Sequence, residues 1–223
     1  MLLCQISDPH VVDRGTLAYG KVDTAAHLER CVRRIRSLSR RPDAVIATGD
    51  LTDNARASEY GALAEILSPL DMPLFLAVGN HDDRAALRAA FPGHRYLQGE
   101  DGFVQYVVDD FAARLVVLDT LVPGKPEGRL CERRLGWLNR TLAASRRPTI
   151  VAQHHPPFAS GLSVMDRMNL VDPAAEGAVI ARYPHVERVL CGHQHRTAHA
   201  GFGGTVASIC PSAAHQLRLD LVP

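Results

Sequence analysis

The residues best equipped for chemistry in this 223-residue chain are carboxylates, amides and histidines gathered in short clusters. The clusters are Asp8-Pro9-His10, Gly49-Asp50, Gly79-Asn80-His81-Asp82, His154-His155 and Gly192-His193-Gln194-His195. Their oxygen and imidazole donors suit divalent Zn, Mn, Fe or Co, with no thiolate required. A two-metal hydrolase needs one carboxylate to bridge its ions and about three further protein ligands on each. Asp50 reads as the natural bridge. Asp8, His10 and one histidine of Gly-His-Gln-His can complete a first site, and Asn80, His154 and the other histidine a second. His193 and His195 lie two residues apart, so in an extended segment they project in the same general direction.

Each motif alone has an ordinary reading. Asp-Pro-His can be a turn, and Gly-Asn-His-Asp can cap a helix through Asp82 or Asp83. Together, in one order and each after a predicted strand, they read as a functional site. His155 reads as a packing histidine beside that site, and His27, His94, His185 and His199 as ordinary surface or core residues. Asn54, in Gly-Asp-Leu-Thr-Asp-Asn, can reach a phosphate or its alcohol.

Clusters so distant in sequence need a scaffold that gathers them. Short apolar runs predict strands at Leu2–Ile6, Ala44–Thr48, Pro73–Val78, Thr149–Ala152 and Val186–Leu190, and a cluster follows each one. Helical periods fall at Thr24–Ser39, Ser58–Leu67, Asp83–Phe91, Glu132–Ala144 and Pro173–Arg182. Val104–Val108 and Arg114–Leu118 read as an antiparallel pair. Thr197–Ala200, Thr205–Ser208 and Gln216–Leu221 read as closing strands linked by glycine-rich turns. This order predicts a parallel sheet first and antiparallel additions late. Parallel strands deliver their C-terminal ends to one edge, where the clusters can meet. The irregular stretches Val11–Val22, Pro123–Leu130 and Pro156–Val171 flank that edge as candidate binding loops.

Asp-x-His, Gly-Asp, Gly-Asn-His-Asp, His-His and Gly-His-x-His, in this order, resemble the motifs of the calcineurin-like metallophosphoesterase superfamily. Leu-Ala-Tyr-Gly at 17–20, Arg-Pro-Asp-Ala-Val at 41–45, Gly-Asp-Leu-Thr-Asp-Asn at 49–54, Gly-Asn-His-Asp-Asp at 79–83, His-His-Pro-Pro at 154–157 and Ala-Ala-His-Gln at 213–216 are similar to its class III cyclic-nucleotide phosphodiesterase and glycerophosphodiesterase branch. The resemblance covers nearly the whole chain. It implies an α/β fold, the four-layer α/β/β/α metallophosphoesterase sandwich of two mixed sheets flanked by helices, as one domain over residues 1–223. It implies a first metal on Asp8, His10, Asp50 and His195 and a second on Asp50, Asn80, His154 and His193. His81 would sit outside the coordination sphere near the scissile phosphate, and His215 would contact substrate. A homodimer or higher homo-oligomer is also implied, although the chain ends soon after Leu219-Asp220-Leu221 where relatives often continue.

The expected reaction is hydrolysis of a small phosphodiester, a cyclic nucleotide such as 3′,5′-cyclic AMP or a glycerophosphodiester. Hydroxide formed from water shared between two metal ions would attack phosphorus in line. His81 is the expected catalytic side chain, stabilising the phosphoryl group or protonating the departing alkoxide. Asn54, His81 and His215 are the expected substrate contacts. Phosphoprotein phosphatases of the superfamily place Val-Asp-Arg-Gly after the bridging aspartate, so that an arginine clamps a monoester. Here Leu51-Thr52-Asp53-Asn54-Ala55 follows Asp50, which favours a diester with its smaller charge. The alternatives are a phosphomonoesterase on the same two-metal site, or a metal-free interaction scaffold, which would have lost ligands that this chain keeps.

Lys and Arg total 25 against 24 Asp and Glu, so no general attraction for nucleic-acid polymers or anionic membranes is expected. Five cysteines without a Cys-x-x-Cys pair read as free thiols in a reducing compartment. The first predicted strand and Asp8 follow Met1 closely, so no signal peptide is expected, and no apolar run is long enough to span a bilayer. A soluble, cytoplasmic protein is expected.

Overall fold

The structure is a computed structural model describing residues 1–99 and 102–220. Its first part alternates β1 (Leu3–Ile6), α1 (Thr24–Arg36), β2 (Ala44–Thr48), α2 (Ala57–Leu67), β3 (Leu74–Ala77) and α3 (Arg84–Ala90). Helix α1 starts where Asp23 accepts the Ala26 N–H at 2.9 Å, and Leu28, Val32 and Ile35 form its buried stripe. The three strands pair in parallel, with Leu3 opposite Ala44 and Val45 opposite Leu74. Every residue of β2 is buried, as a central strand covered on both faces requires.

After a 3-10 turn at Arg95–Gln98 come β4 (Tyr106–Val108), β5 (Arg114–Val117), β6 (Gly128–Arg129), α4 (Glu132–Ala143), β7 (Thr149–Ala152), α5 (Ser163–Asp166), β8 (Leu170–Val171), α6 (Pro173–Ile180), β9 (Val186–Cys191), β10 (Ala198–Phe202) and β11 (Thr205–Ile209). Six strands form the second sheet in the order β10-β11-β9-β7-β5-β4. Its four inner strands run parallel, and β10 and β4 are antiparallel edges. The period of two along β5 separates the layers. Leu115 and Val117 enter the core shared with the first sheet, while Val116 joins the outer core under α4 and α6. The order of layers is helices, sheet, sheet, helices.

Three expectations change in detail. The two sheets expected to be mixed are one wholly parallel sheet and one mixed sheet. Late strands are not all antiparallel, because β11 inserts between β9 and β10 and runs parallel to β9. Residues 216–220 form no strand; Arg196 Nη1 holds that tail by donating to Leu217 O at 2.7 Å, and Leu221 lies outside the described residues. Among the described residues no helix is long and apolar enough to cross a membrane.

One buried acid reports on this scaffold. Glu176 of α6 lies 3.2 Å from Gln153 Nε2 at the end of β7, and its other oxygen has no partner. Burial, opposed by the Gln153 bond, pushes its carboxyl from 4.5 to about 8. The folded chain therefore keeps a proton that the unfolded chain releases across this window. Its contribution to stability is complete below the unfolded pKa and is lost as pH rises through the folded one, by at most about 1.4 kcal/mol per pH unit. Urea unfolding over a pH series should show a shallower fall in Glu176→Gln than in the parent; identical slopes would contradict the assignment.

Candidate metal centre

The ends of β1, β2, β3, β7 and β9 open onto one rim, and their loops remain paired beyond the sheets. Asp8 N–H donates to Gly49 O at 3.1 Å, His10 N–H to Asp50 O at 3.0 Å and Val11 N–H to Leu51 O at 3.1 Å. Gly192 N–H donates to His154 O at 2.9 Å on the other sheet. Between the sheets, His193 N–H donates to Asp8 Oδ1 at 3.0 Å and Gln5 Nε2 to Cys191 O at 3.0 Å. Two loop systems far apart in sequence are thereby locked into one frame.

The backbone is strained where the frame carries side chains. Asp8 (φ 50°), His10 (φ 43°), Asp50 (φ 48°), His193 (φ 74°) and His195 (φ 52°) all sit in the left-handed region. Asp and His tolerate it better than most residues, yet such backbone persists only where the surroundings enforce it, characteristically at functional sites. Gly79 is required by close approach: a Cβ there would collide with Asp50 Oδ1 and stand 2.8 Å from His154 Nε2.

All seven residues expected as metal ligands come together. His10 Nε2 lies 3.1 Å from His195 Nε2 and 3.5 Å from Asp50 Oδ2. His195 Nε2 lies 3.5 Å from Asp8 Oδ1. His154 Nε2 lies 3.3 Å from Asp50 Oδ2, 3.2 Å from Asn80 Oδ1 and 3.3 Å from His193 Nδ1. The outward nitrogens are committed elsewhere: His154 Nδ1 to Thr48 O at 2.8 Å, His195 Nδ1 to His215 O at 3.1 Å and His10 Nδ1 to Asp53 Oδ1 at 3.1 Å. A ring whose Nδ1–H is held by an oxygen presents an Nε2 lone pair inward, the arrangement that metal-ligating histidines use.

The electrostatics fit a cation. Burial raises the pKa of Asp50, but His154, His10 and His81 outweigh it and leave Asp50 ionised well below the usual range. Burial likewise opposes ionisation of Asp8, which His195 and His154 nevertheless hold low. Burial disfavours a charged His154, yet Asp50 and Asp8 push it up to about 9, whereas burial and His154 bring His193 down to about 4. Anionic oxygens attract positive charge while neutral imidazole lone pairs face the same space. Divalent ions meet both demands, and they would displace the His154 proton on binding.

The other expected residues surround this centre. His81 N–H donates to Asp50 Oδ1 at 2.9 Å, and its Nδ1 is 2.8 Å from Asp53 O. It lines a cleft of about 400 Å³ with Asp53, Asn54, Asn80 and Arg84. Asn54 Nδ2 is bound to Glu59 Oε1 at 2.7 Å. The His215 ring packs 4.5 Å from His195 and 5.5 Å from His10. His155 has both ring nitrogens engaged, by Thr120 Oγ1 at 2.8 Å and Pro126 O at 3.1 Å, in keeping with a packing role.

Three supporting residues escaped the sequence reading. Asp53 holds His10 and stands 3.8 Å from His81 Nδ1. Asp82 accepts from Gly79, Leu51 and Thr52 N–H groups and from the Tyr60 hydroxyl, while Asp83 alone caps α3. Burial, with Asp50 nearby, raises the Asp82 carboxyl to about 6. Gln194 Nε2 ties the histidine loop to Asp166 at 2.9 Å and Asn169 at 2.7 Å. The signals were present in Gly-Asp-Leu-Thr-Asp and Gly-His-Gln-His, but as residues that hold ligands they follow no donor-spacing rule.

Fold and site together define a phosphoesterase scaffold with a His/Asp metal cluster. The calcineurin-like phosphoesterase family matches residues 1–197, and the chain belongs to that family. A probable cyclic nucleotide phosphodiesterase of Rhodopseudomonas palustris is 41% identical over 97% of this chain and 80% of its own length. A probable glycerophosphodiester phosphodiesterase of Arcobacter nitrofigilis is 34% identical over 99% of this chain and 81% of its own length. A 3′,5′-cyclic adenosine monophosphate phosphodiesterase of Escherichia coli K12 is 30% identical over 97% of this chain and 77% of its own. Among solved structures, a dimetal phosphatase from Danio rerio shares the fold, with TM-score 0.75 at 16% identity over 96% of this chain and 88% of that one.

Asp53→Asn should weaken divalent-ion affinity by about 10–100-fold, the usual effect of removing a partner behind a ligating histidine. Calorimetric titration of stripped protein with Mn²⁺ reads this directly, and an unchanged affinity would remove Asp53 from the metal-supporting set.

Proposed function

We propose that the chain, as one domain over residues 1–223, is a binuclear metal-dependent phosphodiesterase acting on small phosphodiesters, a cyclic nucleotide such as 3′,5′-cyclic AMP or a glycerophosphodiester. The observation that carries this reading is the convergence of imidazole nitrogens on the Asp8 and Asp50 carboxylates, with their opposite nitrogens tied outward. Asp8, His10, Asp50 and His195 would hold one ion, and Asp50, Asn80, His154 and His193 the other. Mn, Fe, Zn and Co are the candidates by donor type. When bound, the ions would supply Lewis-acid polarisation of phosphoryl oxygens and activation of water at neutral pH.

The chain's own groups divide the remaining work. His81 spends Nδ1 on the Asp53 carbonyl, leaving Nε2 to steady a phosphate oxygen or to pass a proton to the departing alkoxide. Both Asn54 amide hydrogens have acceptors, Glu59 Oε1 at 2.7 Å and Asp53 Oδ2 at 3.4 Å. Asn54 therefore offers substrate its carbonyl oxygen, which suits an alcohol hydroxyl better than a phosphate. His215 would flank the substrate on the His10–His195 side.

The diester preference rests on charge. Arg84 lines the cleft, but its Nε and Nη2 are bound to Asp119 at 2.6 and 2.8 Å, and Nη2 also donates to Leu121 O at 2.7 Å. That engagement opposes a role as clamp for a monoester dianion, and the names of the relatives also favour a diester. Free cysteines support a reducing, cytoplasmic setting. A homodimer or higher homo-oligomer completes the proposal, to be read by sedimentation velocity.

Metal-stripped protein should hydrolyse neither bis(p-nitrophenyl) phosphate nor p-nitrophenyl phosphate, and Mn, Co or Zn should restore turnover with the diester preferred. A monoester preference would replace the diesterase reading. Folded protein inactive with every ion would leave the scaffold reading. His81→Ala should lower kcat by about 10²–10⁴ with bound metal unchanged.

A further inference from the structure

The loop from Val11 to Val22 carries a residue that the centre described above does not use. Ala18 N–H donates to Val22 O at 2.9 Å, Val22 N–H returns to Ala18 O at 3.0 Å, and Gly20 N–H donates to Leu17 O at 3.1 Å. This tight turn holds Tyr19 at φ 54°, an outlying conformation for so bulky a residue. Tyr19 is 64% exposed as a residue, and Leu17 in the same turn is 49% exposed. Among the described residues the phenol has no hydrogen-bond partner. A strained backbone therefore holds a large aromatic group in solvent with little internal packing in return, a combination that points to a ligand.

The surroundings show where that ligand would lie. The aromatic neighbour of Tyr19 is His215, at 5.3 Å between ring centroids and edge to face. His215 in turn packs on His195 and His10, members of the metal cluster, and its Nδ1 is buried without a partner. Partial burial, then the charges of Asp53 and Asp50, raise the Tyr19 phenol pKa. The opposite flank is different in kind. The cleft beside His81 is lined by Asp53, Asn54, Asn80, Asp83 and Arg84, and among the described residues no tyrosine, phenylalanine or tryptophan lines it.

We propose that Tyr19 and His215 form an aromatic subsite on the His10–His195 flank that receives a planar ring carried by the substrate. The chain then prefers phosphodiesters bearing a nucleobase or aryl group over those whose arms are open-chain polyols. This rests on the reading of the centre as a hydrolase of small phosphodiesters, and it chooses between the two substrate classes left open there. A flat ring would cover the exposed Tyr19 ring while its phosphate sits at the cluster, a contact whose strength depends little on which base is bound.

The test uses the Mn-loaded full chain with Tyr19→Gly, which suits the left-handed turn but removes the ring, and Tyr19→Phe, which keeps it. Tyr19→Gly should raise KM for 3′,5′-cyclic AMP and bis(p-nitrophenyl) phosphate about tenfold, within the range of base stacking on an aromatic ring. KM for glycerophosphoethanolamine should stay within about twofold on the same grounds, and Tyr19→Phe should restore parental values for the ring-bearing substrates. Equal losses on all three substrates, or no loss on any, would overturn the subsite. If the parent protein hydrolyses no diester, calorimetric titration separates the two ideas. Tyr19→Gly must then weaken 5′-AMP while sparing glycerol 3-phosphate, and equal effects on both would again overturn it.

Discussion

Asp8 and Asp50 are buried carboxylates that share histidine neighbours, and most of this structure answers the cost of keeping them ionised there. Unpaired charge inside a protein is expensive, so each oxygen needs a donor or a cation. Backbone N–H groups of His193 and His81 supply part of the answer. Imidazoles supply the rest only when one is protonated, and the chain places His154 to accept that proton. A site that must import positive charge, yet keeps the outward nitrogens of His10, His154 and His195 tied, is organised for metal more than for a proton.

The same constraint accounts for the backbone. Side chains from both sheets must reach one small volume, and regular strand ends would aim them apart. Left-handed conformations at Asp8, His10, Asp50, His193 and His195 turn the chain sharply at each delivery point. Paired loops, the Asp82 hub and the Gln194 tether hold those turns in place. The wide apolar core beneath is the reservoir that offsets the strain, with β2 buried along its whole length.

Much of this was legible in the sequence, for specific reasons. Metal donors announce themselves by type, and their positions after apolar runs identified the strand ends. The resemblance carried the layer order that local patterns do not contain. What stayed hidden were contacts between distant segments. The insertion of β11 between β9 and β10 is a tertiary choice, and the pairing of β6 with β8 involves too few residues to leave a period. The tail 216–220 has strand composition but follows the rim of the site instead of a ladder. Asp53 and Asp82 looked like loop carboxylates because their partners, His10 and the Gly79–Thr52 backbone, lie on other segments.

The donor arrangement makes a simple demand on stoichiometry. Stripped protein should be titrated with Mn²⁺ while bound metal and the electron paramagnetic resonance spectrum are followed together. The account predicts two ions per chain with a spin-coupled signal, and loss of that coupling in Asp50→Asn, because Asp50 is the carboxylate shared by both proposed ligand sets. Folded protein that binds a single ion, none, or two that are magnetically independent would contradict the two-metal centre.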